Sequence, residues 1–238
     1  MRKTEFANGE FYHIYNRGVD KREVFSDKFD YERFLKSMKE FNRIEPIGSL
    51  YEKYLREKKG KSENGGSTSL AKKWTSNVHN GHLMSISSPQ LIDVICYCLN
   101  SNHYHFILKQ LQEKGIEKFM QKIGNGYTKY FNNKYKRSGV LFQGVFKSIH
   151  IDSNGYLLYL SAYVNKNNFI HGYNNSNWKY SSLAEYEKEN DQENKLCNTV
   201  PILEQFKDKK DYMEFLNDNA LYLKDKKEEG KYLLEENS

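Results

Sequence analysis

Apolar residues in the first part of the chain are spaced first as in a strand and then as in a helix. Residues 10–19, EFYHIYNRGV, alternate in polarity and are rich in aromatic and β-branched side chains, which predicts a strand. The segment 26–44 repeats large apolar residues near helical spacing, and it follows Ser26 and Asp27, either of which can cap a helix. The chain therefore begins with a strand followed by a helix.

Three further strands and a second helix are predicted in the middle of the chain. Residues 90–100 and 103–110 are apolar runs separated by the turn-forming residues 100–102, so we expect a β-hairpin. Large apolar residues mark one helical stripe within 115–135, and a loop runs into a last strand within 139–152. The order β, α, β, β, α, β is that of a ferredoxin-like unit, an α+β fold with helices on one face of an antiparallel sheet.

The segments outside this unit have a different composition. Residues from about 45 to 89 include the polar run KKGKSENGGSTSL, so we interpret them as an insertion. A short helix capped by Ser153 is predicted after the last strand, and Pro201 opens another helical segment before a charged end. We therefore expect a domain over 1–175, which contains the insertion, and a helical extension over 176–238.

Composition narrows the class of protein. The 37 Lys and Arg residues exceed the 31 Asp and Glu residues, and the resulting net charge of +6 favours a polyanionic partner. The 19 tyrosines and 14 phenylalanines supply flat faces for stacking on single-stranded nucleic acid, although a tyrosine-rich core would use the same residues. Three cysteines are too few for a disulfide scaffold, and we find neither a signal peptide nor an apolar run that could span a bilayer. We expect a cytoplasmic protein without membrane association.

The segment NHYHFIL contains the strongest candidate chemistry. Side chains alternate between the faces of a strand, so His103 and His105 point the same way. Two imidazoles fill only part of a metal's coordination shell, and simple packing is the alternative unless a third ligand lies nearby. Tyr163 and Asn167 are four residues apart on the predicted helix after the sheet, which places a phenol and an amide oxygen side by side.

Other residues near these motifs leave alternatives open. Cys96 and Cys98 share a strand face and, with the two histidines, make a candidate Cys₂His₂ zinc site, although the tight hairpin suits a tetrahedral site poorly. Buried thiols are the simpler interpretation. Basic residues cluster in and near the second predicted helix and at the end of the first strand, where they could follow DNA phosphates or form a solvated face. They are Arg17, Lys129, Lys134, Lys136, Arg137 and Lys147.

Four motifs in this order resemble the REP-associated tyrosine transposases, a branch of the single-tyrosine HUH transposases of insertion sequences. They are YHIYNRG at 12–18, NHYHFIL at 102–108, GYTKYFNNKYKRSGVLFQGVFKS at 126–148 and YLLYLSAYVNKNN at 156–168. The segments WKYSSLAEY and VPILEQFKDKKDYMEF are similar to the family's C-terminal region. The resemblance covers most of residues 10–220 and skips about 45–88.

The resemblance implies both an activity and a set of site residues. It makes Tyr163 the nucleophile and His103, His105 and Asn167 the metal ligands, with Asn167 contributed from the tyrosine's own helix. The implied activity is a metal-dependent endonuclease and strand transferase on single-stranded DNA, at hairpin-forming repeats, with a 5′-phosphotyrosine intermediate. Open, oxygen-rich coordination positions favour Mg²⁺ or Mn²⁺ as the cofactor. The chain departs from the family at Asn168, where proline is usual, and in the insertion.

Other interpretations stay open from the sequence alone. One is a catalytically silent protein of the same fold that binds single-stranded nucleic acid, and another is a structural protein stabilised by zinc. Tyr156 and Tyr159 lie near Tyr163, but neither has an amide four residues later. Related transposases exist as monomers and as dimers, so a homodimer is also open.

Overall fold

A computed structural model of the chain describes residues 5–48, 50, 52–53, 55–56, 89–173, 178–187 and 195–228. Most of the segment that the sequence marks as an insertion, about 45–89, lies outside the described residues. The division into a domain over 1–175 and an extension over 176–238 therefore stays a prediction.

Four antiparallel strands form one sheet: β1 (Phe11–Arg17), β2 (Ile92–Asn100), β3 (His103–Gln110) and β4 (Lys147–Ile151). Their spatial order is β2-β3-β1-β4, so β1 lies between β3 and β4. With one helix after β1 and another after β3, this is the split β-α-β arrangement of a ferredoxin-like fold. The predicted α+β fold class is confirmed.

Two helices, α1 (Lys28–Phe41) and α2 (Gly115–Lys134), pack together on one face of the sheet. α1 begins where predicted because the Asp27 carboxylate accepts hydrogen bonds from two backbone N–H groups of the first turn. Alternation along the strands directs every second side chain into the core beneath these helices. That core includes Tyr12, Ile14, Phe34, Tyr104, Phe106, Phe119 and Tyr127.

The helix α3 (Asn154–Asn165) packs against β2, β3 and β4 from the other face. Ser153 caps it, since the Ser153 Oγ accepts a hydrogen bond from the backbone N–H of Tyr156 at 3.4 Å. The core on this face combines sheet residues with residues of α3 and of the C-terminal helix. It includes Ile95, Cys96, Cys98, Ile107, Leu157, Leu160, Tyr163, Leu216 and Leu223.

In the described residues after α3 there are three short helices and one long helix: α4 (Asn167–Ile170), α5 (Leu183–Glu187), α6 (Val200–Leu203) and α7 (Lys209–Glu228). The helical segment predicted from Pro201 is thus divided in two. Asp208 starts α7 afresh, because its carboxylate accepts a hydrogen bond from the Asp211 N–H at 2.9 Å. Within the described part of the chain, none of the helices is both long enough and apolar enough to cross a membrane.

The C-terminal helix α7 holds α3 through a buried polar contact as well as through apolar packing. The Tyr212 hydroxyl accepts a hydrogen bond from the Asn165 Nδ2 at 2.9 Å and donates to the Ser161 Oγ at 3.2 Å. All three side chains are almost fully buried. Because the two ends of α3 are fixed by a cap and by this contact, the position of the helix on the sheet is well defined.

Candidate active site

The two histidines of β3 lie on the face of the sheet that α3 covers. The antiparallel pairing of β1 with β3 places Arg17 opposite His103 and Tyr15 opposite His105. Both imidazoles are buried, with 8% of His103 and 1% of His105 exposed, and their ring centroids are 5.3 Å apart. Alternation along the strand therefore brings two potential ligand groups to one point on the sheet.

Polar contacts orient the ring of His103. Its Nδ1 lies 2.6 Å from the Asn102 Oδ1, which can only accept, so Nδ1 bears the proton. The remaining nitrogen, Nε2, lies 2.8 Å from the Asn100 Nδ2 and 3.1 Å from the Asn167 Oδ1. His103 is thereby held as the tautomer whose Nε2 lone pair faces the Asn167 amide, which is the form that can bind a metal.

His105 is paired with a third histidine that sequence reasoning did not assign to the site. The His105 Nδ1 lies 3.0 Å from the Nε2 of His13, whose side chain is 1% exposed. The two rings are stacked, with centroids 5.2 Å apart. When His105 Nδ1 donates its proton to His13, the His105 Nε2 keeps a lone pair for a ligand. The signal for His13 was its position in YHIYNRG, where alternation puts it on the same face as Arg17.

Tyr163 projects from α3 onto the two paired histidines. Its ring meets that of His105 edge-on, with centroids 5.5 Å apart, and it meets the ring of His13 at 6.2 Å. The side chain is only 2% exposed. The structure thus brings the predicted nucleophile to the predicted ligands.

The prediction that Asn167 belongs to the tyrosine's own helix is wrong. α3 ends at Asn165, and Lys166 has φ −106° and ψ 14°, outside the regular helical range, so Asn167 is the first residue of α4. The chain still continues in a helical sense, since the Lys166 carbonyl accepts a hydrogen bond from the Ile170 N–H at 2.9 Å. The break leaves Asn167 fully buried, with its Oδ1 facing His103.

Asn168, where the sequence departs from the family pattern, contributes to the same buried cluster of amides. Its Nδ2 donates a hydrogen bond to the Asn100 Oδ1 at 3.0 Å, and the Asn100 Nδ2 in turn donates to the Asn167 Oδ1 at 2.6 Å. Asn100 was expected only to form a turn. Its place at the end of β2, however, brings it between His103 and α4.

A small cavity of about 30 Å³ opens onto the histidines. Its lining residues are Tyr15, Asn16, Arg17, His103, His105, Gln143 and Lys147. Arg17 is held in place by a hydrogen bond from its Nε to the Gln143 Oε1. Two of the predicted DNA-binding residues, Arg17 and Lys147, are therefore at the site, whereas Tyr163 does not line this cavity.

The other predicted DNA-binding residues, Lys129, Lys134, Lys136 and Arg137, are not brought to this cavity. They lie on α2 or just after it, and α2 covers the opposite face of the sheet. The Arg137 Nη1 donates to the Asn132 Oδ1 at 3.1 Å, and Lys129 lines a groove beside α2.

Lys134 is held in an ion pair with two aspartates of the fold and does not extend freely into solvent. Its Nζ donates to both carboxylate oxygens of Asp27 at 2.8 Å and to the Asp30 Oδ1 at 2.7 Å. Burial alone would lower the pKa of Lys134, but these hydrogen bonds outweigh it and raise the pKa above its ordinary value. The ammonium is thus charged and already neutralised, which removes Lys134 from the set of residues that we assign to DNA below.

The ligand set fits a hard divalent cation. Among the described residues no cluster of three or more His, Cys, Asp and Glu side chains could hold a metal, but an amide oxygen is not of those types. The His103 Nε2 and the Asn167 Oδ1 are both acceptors and lie 3.1 Å apart. The Asn100 Nδ2 lies within hydrogen-bond distance of both atoms, so a cation in its place would face the same two lone pairs. Neutral nitrogen and amide oxygen ligands that leave positions open suit Mg²⁺ or Mn²⁺.

The zinc alternative requires Cys96, Cys98, His103 and His105 to come together, and among the described residues they do not form a metal-binding group. Burial raises the pKa of the Cys96 and Cys98 thiols to about 12, as is usual for thiols packed in an apolar core. The Cys96 Sγ lies 3.2 Å from the Tyr186 hydroxyl, and the Cys98 Sγ donates to the Asn100 Oδ1 at 3.7 Å. The two cysteines are packed in the core beneath α3 and do not form a Cys₂His₂ cluster with the histidines.

A family model described as "Transposase IS200 like" matches residues 68–167 of this chain. Over these residues the chain is similar to the IS200-like transposases. The matched segment contains both histidines of β3, Tyr163 and Asn167, so the match agrees with the resemblance seen in the sequence. It begins within the segment predicted as an insertion and leaves out β1, which supplies His13 and Arg17.

Among solved structures, this chain is similar to one described as "Structure of the REP associates tyrosine transposase bound to a REP hairpin". The TM-score is 0.43 and the sequence identity 9%, over 78% of this chain and 83% of that chain. A search of curated protein sequences finds no match.

Proposed function

We propose that this protein is a metal-dependent endonuclease and strand transferase for single-stranded DNA, with Tyr163 as its nucleophile. The observation on which the proposal rests is a convergence in space. The Tyr163 ring lies 5.5 Å from that of His105, and the Asn167 Oδ1 lies 3.1 Å from the His103 Nε2. The family match over residues 68–167 supports the transposase class.

His103, His105 and Asn167 would hold the cation, and His13 would keep the His105 ring in the required tautomer. Bound Mg²⁺ or Mn²⁺ would neutralise charge on the scissile phosphate and orient it for in-line attack. Because all three ligands are neutral, the site keeps the cation's full charge for the DNA phosphate.

Tyr163 would perform the covalent step. Its Oη attacks the phosphorus, the bond from phosphorus to the 3′ oxygen breaks, and a 5′-phosphotyrosine and a 3′-hydroxyl remain. The phenolic proton passes to water, since an unperturbed tyrosine has a pKa of about 10 and is protonated before attack. The leaving 3′ oxygen takes up a proton. A new 3′-hydroxyl can attack the phosphotyrosine and restore a phosphodiester, which joins two strands.

Arg17 and Lys147 would bind the phosphates beside the scissile bond, because both line the cavity that opens onto the histidines. Lys129, Lys136 and Arg137 would contact DNA farther from the reaction centre, on the side of α2. Hairpin-forming repeats are the substrate that the resemblance to REP-associated transposases implies. A homodimer is compatible with this scheme but is not needed for it, since one chain supplies all the proposed site residues.

A second candidate function is a catalytically silent protein that binds single-stranded DNA. The observation that favours it is the burial of Tyr163, which is 2% exposed and does not line the cavity. For catalysis the phenol must reach a phosphate in the cavity, so the enzyme requires a shift of α3 on binding DNA. A protein whose α3 cannot shift would bind the strand without cutting it.

The test is formation of a covalent adduct between protein and DNA. The protein is incubated with a single-stranded hairpin oligonucleotide and Mn²⁺, and the products are separated on a denaturing gel. We expect an adduct with the wild type and none with Tyr163→Phe, which keeps the ring and its packing. Tyr159→Phe, one helical turn earlier on α3, is the matched control and should form the adduct.

Each other outcome has a defined meaning. If Tyr159→Phe loses the adduct and Tyr163→Phe keeps it, the nucleophile is misassigned by one turn. DNA binding by the wild type with neither cleavage nor adduct would support the silent protein. Cleavage without any adduct would mean that water attacks, and the transposase mechanism would be refuted.

A further inference from the structure

Asn100 occupies the space between two of the proposed ligand atoms. The side chain is fully buried, and its Nδ2 donates to the Asn167 Oδ1 at 2.6 Å and lies 2.8 Å from the His103 Nε2. Its two amide hydrogens therefore cover lone pairs that a cation would need. Binding of a cation by His103 and Asn167 requires the Asn100 NH₂ group to leave this position.

A half-turn of the Asn100 amide would accomplish this without moving the backbone. Nδ2 and Oδ1 of an amide are almost equal in size, so the turn exchanges a donor for an acceptor in the same space. An oxygen at 2.6 Å and 2.8 Å from two other acceptors is repelled in the absence of a cation. In the presence of one, the same oxygen becomes an additional ligand of the type that Mg²⁺ and Mn²⁺ prefer.

The other end of the Asn100 amide also permits the turn. Its Oδ1 now accepts from the Asn168 Nδ2 at 3.0 Å, while the Asn168 Oδ1 is buried and has no hydrogen-bond partner among the described residues. A matching half-turn of Asn168 would let that oxygen accept from the Asn100 Nδ2. One hydrogen bond joins the two amides before and after the turn, while the Asn100 Oδ1 gives up the weak Cys98 thiol donor at 3.7 Å and gains the cation.

We propose that Asn100 is a fourth protein ligand of the cation, through its Oδ1, and that Asn100 and Asn168 turn together when the cation binds. This inference rests on the metal site of the proposed function. Asn168 stands where the resembling family usually has proline, which has no side-chain amide. The paired turn is thus a property of this chain, built from residues at the end of β2 and in α4.

The experiment is a titration of the metal-free full chain with Mn²⁺, in which electron paramagnetic resonance measures the unbound ion. Asn100→Leu removes the ligand at similar volume and should weaken Mn²⁺ binding by about tenfold or more. Asn100→Asp offers an oxygen without any turn and should bind Mn²⁺ at least as tightly as the wild type. Asn42→Asp is the control, since the buried Asn42 amide contacts the backbone of Leu91 and Ile92 at the far end of β2. It should bind Mn²⁺ as the wild type does.

The outcomes separate this inference from the proposed function. Equal Mn²⁺ affinity of Asn100→Leu and wild type overturns the role of Asn100 and leaves the metal site intact. Weaker binding by both Asn100 variants shows that the residue only positions the others, and the inference fails. If Asn100→Leu does not fold by circular dichroism, the comparison of Asn100→Asp with the wild type decides alone. No Mn²⁺ binding by the wild type refutes the metal site and this inference together.

Discussion

Replacing Lys134 with methionine should destabilise the fold and leave the affinity for DNA unchanged. Methionine keeps the apolar stem of the side chain and removes the ammonium, which donates to Asp27 and to the fully buried Asp30. Loss of one partner from a buried ion pair costs roughly 3–5 kcal/mol. Asp30 would keep hydrogen bonds from the Ser26 N–H at 2.9 Å and from the Tyr135 hydroxyl at 2.7 Å. Since Lys134 is also 27% exposed, we expect a loss of about 2–3 kcal/mol.

For a chain of this size, such a loss corresponds to a fall in Tm of roughly 5–10 °C, measurable by calorimetry. Lys129→Met, on the exposed side of the same helix, is the matched control and should change stability by less than about 0.5 kcal/mol. Affinity for a single-stranded oligonucleotide would be measured by fluorescence anisotropy well below both melting temperatures. If Lys134→Met melts as Lys129→Met does and loses DNA affinity, Lys134 is a phosphate contact and our assignment of it to the fold is wrong.

The pH dependence of this difference has a definite sign. The hydrogen bond from Lys134 lowers the pKa of Asp27 below its ordinary value of 3.8. A lowered carboxylate pKa contributes stability that is fully present above the unfolded value and is lost as pH falls through the folded value. The stability gap between wild type and Lys134→Met should therefore be full at pH 7 and should shrink below pH 3.8. A gap that widens on acidification would contradict this account of the contact.

Two further predictions concern the metal and the DNA. Replacement of His103 or His105 with alanine should abolish adduct formation, while the circular dichroism spectrum and the DNA affinity change little. Asn167→Ala should reduce adduct formation less, since water can replace one neutral ligand. Unfolding of the histidine variants would instead mean that the histidines have a structural role. Binding to single-stranded DNA should weaken with salt and exceed binding to blunt duplex, and Arg17→Ala or Lys147→Ala should each reduce the salt slope by about 1. Equal affinity for duplex, or slopes that match the wild type, would count against the proposed DNA surface.

The strands and helices could be predicted from the sequence because each has a local signal, either the spacing of its apolar residues or a capping residue. The alternation of side chains in NHYHFIL predicts the strand β3 and places both histidines on one face. The capping residue Asp27 predicts the start of α1 to within one residue. The hairpin turn between β2 and β3 follows from Ser101 and Asn102. These signals come from neighbouring residues, and the tertiary packing of the structure favours the same strands and helices.

The site was less predictable because its contacts join distant segments. The predicted ferredoxin-like unit places β1 beside β3, but nothing near His13 in the sequence gives the register that pairs its Nε2 with His105. The proximity of Asn100 to Asn167 depends on how α4 meets the end of β2, and the break at Lys166 sets that position. For Lys134, a charge run could not distinguish a phosphate contact from an ion pair, since both use the same residue type.

The segment that the family model matches, 68–167, is too short to form the site by itself. It omits β1, which lies between β3 and β4, so without β1 the sheet has no pairing that joins them. It ends at Asn167, one residue before Asn168, which donates a hydrogen bond to Asn100, and well before Tyr212, whose hydroxyl fixes the end of α3. Because the proposed nucleophile on α3 must be held in register with the proposed ligands on β3 and α4, we expect the smallest active fragment to extend from β1 through α7.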